Sequence, residues 1–145
     1  MKILMVCLGN ICRSPLAHGV LQDLVNKNNL DWQVDSAGTG DWHVGQSPDR
    51  RSIAIAKING VDISSQRAMH FKKEFFDQYD YILVMDQQNY KDVIALASTQ
   101  AQKDKVSLFL PDDFVPDPYF DDNLFSPVYQ MIYKRCQELI EELSN

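Results

Sequence analysis

The sequence has 145 residues, 14 Lys+Arg against 20 Asp+Glu for a formal net charge of −6 at pH 7, and 45% hydrophobic and 23% charged residues, the balance of an ordinary globular domain. No stretch approaches the roughly 18 apolar residues of a membrane span, and the acidic excess argues against nucleic acid, whose binders carry a basic patch. Seven Phe, six Tyr and two Trp argue against disorder, so one domain, 1–145, is expected, burying about 68–70% of its unfolded surface.

The N-terminal run Met1 to Val6 is too short for a signal peptide and has no small-residue cleavage site. Lys2 to Val6 is predicted as a strand that stops at Cys7-Leu8-Gly9-Asn10. Ser14-Pro15 predicts a helix start, with Ser14 as the N-cap and Pro15 at the first helical position, where its missing N–H costs nothing. Leu16, Val20, Leu21, Leu24 and Val25 follow at helical spacing up to Asn28-Asn29. Gln33 to Ser36 is a second strand, closed by Gly38 and Gly40.

Ser47-Pro48 repeats the cap pattern and opens a helix through Ile53, Ala56 and Lys57, with Gly60 as its stop. Lys72-Lys73-Glu74 reads as a solvated helix face, as does Glu138 to Glu142. Tyr81 to Met85, between Asp80 and Asp86, is the apolar run of a strand covered on both faces. A helix with Val93, Ile94 and Ala97 follows, and Val106 to Leu110 is a fourth strand. A loop with Pro111, Pro116 and Pro118 leads to a third Ser-Pro start, Ser126-Pro127, and a last helix with Val128, Met131, Ile132, Cys136, Leu139, Ile140 and Leu143 on its apolar stripe.

Strand–helix alternation repeated in this way predicts an α/β fold of three layers, a four-stranded parallel sheet with helices on both faces and right-handed crossovers. Ligands of such sheets bind beyond the carboxyl ends of the strands, near a switch in strand order, which directs attention to the loop after the first strand.

That loop, Cys7-Leu8-Gly9-Asn10-Ile11-Cys12-Arg13-Ser14, puts five residues between a cysteine and an arginine. Five residues can wrap so that the N–H groups of Leu8, Gly9, Asn10, Ile11 and Cys12 converge on one anion, with a helix N-terminus adding partial positive charge. Gly9 and Asn10 tolerate the unusual backbone this needs, and the Arg13 fork can grip two phosphoryl oxygens. At the base of such a cradle the Cys7 thiol is expected to fall from about 8.5 into the range of roughly 3.5–7.5. A lone strand-end cysteine is more often packed and a lone arginine more often solvated; the combination, at this spacing, carries the signal. Gly38-Thr39-Gly40 fails the dinucleotide spacing and there is no nucleotide loop. The three cysteines, Cys7, Cys12 and Cys136, are odd in number and make no metal framework, so free thiols in a reducing, cytoplasmic compartment are expected, with no metal and no cofactor. Cys136 is read as core. The three histidines are scattered and read as structural or exposed.

Val6-Cys7-Leu8-Gly9-Asn10-Ile11-Cys12-Arg13-Ser14-Pro15 is similar to the signature of the low molecular weight protein tyrosine phosphatases. The resemblance runs the length of the chain through Asp35-Ser36-Ala37-Gly38-Thr39, Asp41-Trp42-His43-Val44-Gly45, Phe76 to Asp86 and Val115-Pro116-Asp117-Pro118-Tyr119. It implies a flavodoxin-like, Rossmann-like sheet in the order 2-1-3-4. It also implies hydrolysis of phosphotyrosine in proteins through a cysteinyl-phosphate on Cys7, with Arg13 and the loop N–H groups holding the phosphoryl group. Asp117, by itself an ordinary turn aspartate, becomes general acid and then base. Ser14 would stabilise the Cys7 sulfur, Asn10 and Ser36 would hold the loop in shape, and Trp42, Tyr119 and Phe120 would form an aromatic rim around a crevice too deep for phosphoserine. If Cys7 is oxidised, Cys12 is placed to resolve it as a disulfide.

The partners expected are phosphotyrosine proteins, a tyrosine kinase being one candidate, and inorganic phosphate as product and inhibitor; nucleic acid and membrane are not expected. The rival activity on this fold is arsenate reduction, which needs relay cysteines after Tyr81; the sequence has none between Cys12 and Cys136. A non-catalytic phosphate-binding module would need no Asp117. Four positions depart from the family pattern: His18 where Glu is common, Met69 for a frequent Arg, Phe120 for Tyr and Asp121 for Gly. Substrate preference is therefore not carried over from relatives. The acidic balance itself predicts that acidic sequences around the phosphotyrosine are disfavoured.

Overall fold

β1 (Lys2–Cys7) is buried from Ile3 to Cys7, and its alternation assigns each side chain a face. Ile3 and Met5 point into one hydrophobic cluster, Leu4 and Val6 into another. The computed structural model, which describes residues 1–144, sets this strand inside a four-stranded sheet of order β2-β1-β3-β4. β2 (Gln33–Gly38), β3 (Tyr81–Val84) and β4 (Val106–Leu108) complete it. All three pairings are parallel, with Cys7 opposite Gly38 and Val6 opposite Val84. A strand buried on both faces reads as a continuous apolar run, which explains why β1 and β3 are the clearest in the sequence.

Helices α1 (Arg13–Lys27) and α6 (Phe125–Leu143) cover one face, packing Leu16, Val20, Leu21, Val128, Ile132, Cys136 and Leu139 over Ile3 and Met5. α2 (Arg50–Ile58) joins that layer through Ala56. The other face is filled by Phe71, the short α3 (Phe75–Gln78) and Val93 of α4 (Gln87–Ile94). Phe71 meets Phe75 and Phe76 edge-to-face at 5.6 and 5.3 Å, the arrangement favoured by aromatic quadrupoles. α5 (Gln100–Asp104) leads into β4. No described helix is long and apolar enough to cross a membrane.

The expected sheet is present, with β1 and β2 running to Cys7 and Gly38 and β3 and β4 ending earlier, at Val84 and Leu108. The helix starts differ more. Ser14 is not an N-cap: α1 begins at Arg13, with Cys12 before it. Ser126-Pro127 likewise occupies the second and third positions of α6. A proline anywhere in the first turn removes only an N–H that lacks a helical partner, so Ser-Pro locates the turn without locating the cap. For α2 the cap is Asp49, whose Oδ1 accepts the Arg51 N–H at 2.9 Å; Gly60, at φ +83°, follows its end as expected. Lys72 to Glu74 form the turn before α3 rather than a helix face. Met131 is 40% exposed, and Tyr129 takes its place on the buried stripe.

Candidate active site

The carboxyl ends of the strands bring four segments together: the loop after β1, the turn after β2, Asp86 after β3 and the 109–122 loop after β4. Thr39 N–H donates to Cys7 O and Gly40 N–H to Leu8 O, both at 2.9 Å. This close approach requires Gly38, since a Cβ there would lie 2.8 Å from Leu8 O.

Asn10 holds the loop from three directions. It adopts φ +56°, a conformation that Asn tolerates better than most residues. Its backbone N–H points at Cys7 Sγ at 3.3 Å, its Nδ2 donates to Ser14 Oγ at 2.7 Å, and its Oδ1 accepts the Met69 N–H at 2.9 Å. Only the backbone of Met69 is used here, so the brace does not depend on the side chain at that position. Ser14 Oγ lies 3.0 Å from Cys7 Sγ and 3.5 Å from Ala37 O. With Asn10 donating to it, the Ser14 hydroxyl has one proton of its own, within reach of both the Cys7 sulfur and Ala37 O. The residue expected as a helix cap is thus turned inward, because a tertiary partner outcompetes the local one.

Arg13 is 3% exposed. Its Nη1 donates to Asp86 Oδ2 at 2.7 Å and to Val115 O at 3.0 Å, and its Nη2 lies 3.8 Å from Asp117 Oδ2. Burial pulls the guanidinium pKa down, but Cys7, Asp86 and Asp117 outweigh it and hold it above the ordinary value. In the sequence Asp86 bounds an apolar run and closes the Phe76 to Asp86 stretch of the resemblance, with no role of its own. Its other oxygen accepts the Asn89 N–H at 2.8 Å and caps α4. An acid directly after a strand, at the edge where the β1 loop sits, is the one signal that could have singled it out.

Val115 is buried and donates its N–H to Met85 O at 2.8 Å, fixing the last loop to the sheet. Two residues on, Asp117 accepts the Tyr119 N–H on Oδ1 at 3.1 Å and has 40% of its side chain exposed. Between these segments lies a cleft of about 200 Å³. Cys7, Gly9, Cys12 and Arg13 line it, together with Leu8, Ile11, Trp42, His43, Asp117, Tyr119 and Phe120. Trp42 and Phe120 are 66% and 89% exposed; Tyr119 and Phe120 meet edge-to-face at 4.9 Å. The Trp42 ring rests on Gly40, where a Cβ would come within 2.0 Å of it. His43 lies over Gly9 and is held by Gln46 Oε1 at 3.0 Å, a wall residue that scattered histidines in a sequence do not reveal.

Ser36 stands apart from this group. Its Oγ pairs with His18 Nδ1 at 3.2 Å, on α1 rather than on the loop. Burial lowers the His18 pKa, with Asp35 and Gln66 opposing the shift. The three cysteines are free. Burial, reinforced by Asp49 and Cys7, pushes the Cys12 thiol up to about 12. Cys136 is fully buried, and burial raises its pKa too. Among the described residues no group of three or more His, Cys, Asp or Glu is placed to hold a metal ion.

Residues 2–145 match the family model of the low molecular weight phosphotyrosine protein phosphatases. The pig enzyme of that description is 35% identical, over 98% of this chain and 95% of its own length. A protein tyrosine phosphatase from Entamoeba histolytica, solved with Hepes in the active site, superposes with a TM-score of 0.93 at 32% identity, over 99% of this chain and 97% of that one. An arginine phosphatase from Drosophila superposes with a TM-score of 0.92 at 33% identity, over 100% and 99% of the two chains.

Proposed function

The chain belongs to the low molecular weight phosphotyrosine protein phosphatases, and from that membership we propose that it works as a single 1–145 domain through a cysteinyl-phosphate intermediate on Cys7. It is a phosphatase enzyme acting on phosphoproteins. The observation that supports the proposed chemistry above others is the convergence at one cleft of a donor-ringed sulfur, a buried fork and a carboxylate 3.8 Å from that fork.

In the first step Cys7 Sγ attacks phosphorus while the bond to the aryl oxygen breaks. Arg13 and the N–H groups of Leu8 to Cys12 hold the remaining oxygens, where preorganised donors act on charge that develops in flight. Asp117 delivers a proton to the departing phenolate oxygen. In the second step Asp117 takes a proton from water, water oxygen bonds to phosphorus, and the phosphorus–sulfur bond breaks to release inorganic phosphate. Ser14 and Asn10 donate to the sulfur as it leaves. Phosphate remains a competitive inhibitor of the same cradle, and phosphotyrosine proteins, a tyrosine kinase among them, are the partners, met in the cytoplasm.

Leu8, Ile11, Trp42, Tyr119 and Phe120 make apolar walls suited to an aryl ring. Peptides carrying phosphotyrosine, phosphoserine or phosphoarginine in one sequence test this directly. Phosphate release is expected to be at least about tenfold faster from phosphotyrosine than from either of the others. Faster release from phosphoarginine would move the site to the activity named for the Drosophila relative. In the same assay at low salt, acidic flanking residues are expected to lower kcat/KM by about two- to fivefold, because the exposed Asp41 and Asp121 adjoin Trp42 and Phe120. A gain with acidic flanks would overturn that.

Cys12 is proposed to protect Cys7. Peroxide converts Cys7 to a sulfenic acid, and the Cys12 thiol then displaces water to form a disulfide that a dithiol reduces. Mass spectrometry after peroxide should find the Cys7–Cys12 disulfide, with activity restored on reduction. Over-oxidised Cys7 alone would count against the protection.

A further inference from the structure

Arg51 lies outside the cleft but touches both of its halves. Nε and Nη2 form a two-pronged pair with Asp49, at 2.9 Å to Oδ1 and 2.8 Å to Oδ2. The Asp49 backbone N–H donates in turn to Ile11 O, inside the phosphate-binding loop, at 2.8 Å. On its other side Arg51 Nη1 reaches Asp122 Oδ1 at 2.6 Å. The guanidinium also lies over two rings, Phe125 at 4.5 Å and Tyr119 at 5.5 Å. Tyr119 is the residue whose N–H fixes the Asp117 carboxylate.

We propose that Arg51 is a positioning residue for the general acid, tying the segment from Asp117 to Phe125 to the phosphate-binding loop through Asp49. This rests on the assignment of Asp117 as that acid. Exposed ion pairs contribute little to stability, and Asp122 is 82% exposed, so the Arg51–Asp122 arm is poorly suited to holding the fold together, whereas the Asp49 arm is largely buried and anchors the guanidinium beside the start of α2. A planar fork that bridges two carboxylates and stacks on two rings does fix direction, which a lysine does not reproduce. Direction is what proton delivery needs, because a displacement of about 1 Å can cost on the order of 10²-fold in rate.

The test uses two substrates, p-nitrophenyl phosphate and phenyl phosphate, whose leaving groups need protonation weakly and strongly. Arg51→Met keeps the apolar stem and removes the fork. It is expected to lower kcat/KM, which reports the step that expels the leaving group, about tenfold on phenyl phosphate and no more than about twofold on p-nitrophenyl phosphate, a fraction of the roughly 10²–10⁴ that an acid supplies. In an Asp117→Ala background Arg51→Met should add nothing, since the two residues act as one unit. Asp122→Asn, which leaves the pair with Asp49 in place, should show the same substrate pattern at smaller size, so the question survives if Arg51→Met folds poorly. Equal losses on both substrates, or losses that multiply with Asp117→Ala, would overturn the proposal. If Asp117→Ala itself fails to discriminate the substrates, the acid assignment has failed instead.

Discussion

Cys7→Ser is expected to lower turnover of p-nitrophenyl phosphate by about 10⁴–10⁶-fold, the scale on which removal of a nucleophile acts. The exchange changes one atom. The Asn10 N–H at 3.3 Å, the Ser14 hydroxyl at 3.0 Å and the Arg13 fork all remain, so the cradle still has its donors. A serine hydroxyl gives up its proton far less readily than a thiol, and the groups that hydrogen-bond the Cys7 sulfur, the Asn10 N–H and the Ser14 hydroxyl, are not bases. Calorimetry with inorganic phosphate should therefore find binding within a few-fold of wild type while turnover falls to background. The combination separates loss of the nucleophile from loss of the site. Undiminished hydrolysis by the variant would sink the covalent mechanism.

Asp117→Ala should lower kcat/KM by about 10²–10³-fold on phenyl phosphate and by less on p-nitrophenyl phosphate, since the missing proton matters most to the poorer leaving group. The fold should tolerate the change. Asp117 is half-exposed, and its contact with Arg13 is the longer of that residue's two ion pairs, 3.8 Å against 2.7 Å to Asp86. Arg13 thus stays paired in the variant, and chemical denaturation should show a change within about 1 kcal/mol of wild type. Rapid-quench measurements add a second reading. Because Asp117 also takes the proton from water in the second step, phosphoenzyme should drain more slowly in the variant than in wild type. A phosphoenzyme that forms slowly yet hydrolyses at the wild-type rate would point to a different base.

The parts of this molecule legible in the sequence are those where neighbours along the chain do the work. β1 and β3 were visible because burial on both faces leaves a run of apolar residues, and Cys7 to Ser14 was visible because its residues share one wrap of backbone. What escaped were contacts decided in space. Asp86 meets Arg13 across 73 positions and Val115 O meets it across 102. The Ser-Pro pattern points to Ser14 as a cap because local pattern cannot weigh a hydroxyl's preference for the helix against its preference for Cys7 and Asn10. Resemblance groups Ser36 with the loop, while its hydroxyl pairs with His18 on α1, a contact between β2 and a helix that no local pattern reveals. α3 and α5, at four and five residues, are too short for a helical period to register.

Gly40 is a different kind of determinant. The indole of Trp42 occupies the space a side chain at position 40 would need, so that wall of the entrance is placed from behind, by an absent methyl group, in a residue outside the lining of the cleft. Selectivity can accordingly drift without any change to the chemistry. A lineage could trade one clientele for another through a position outside the cleft, while sulfur, fork and carboxylate stay untouched.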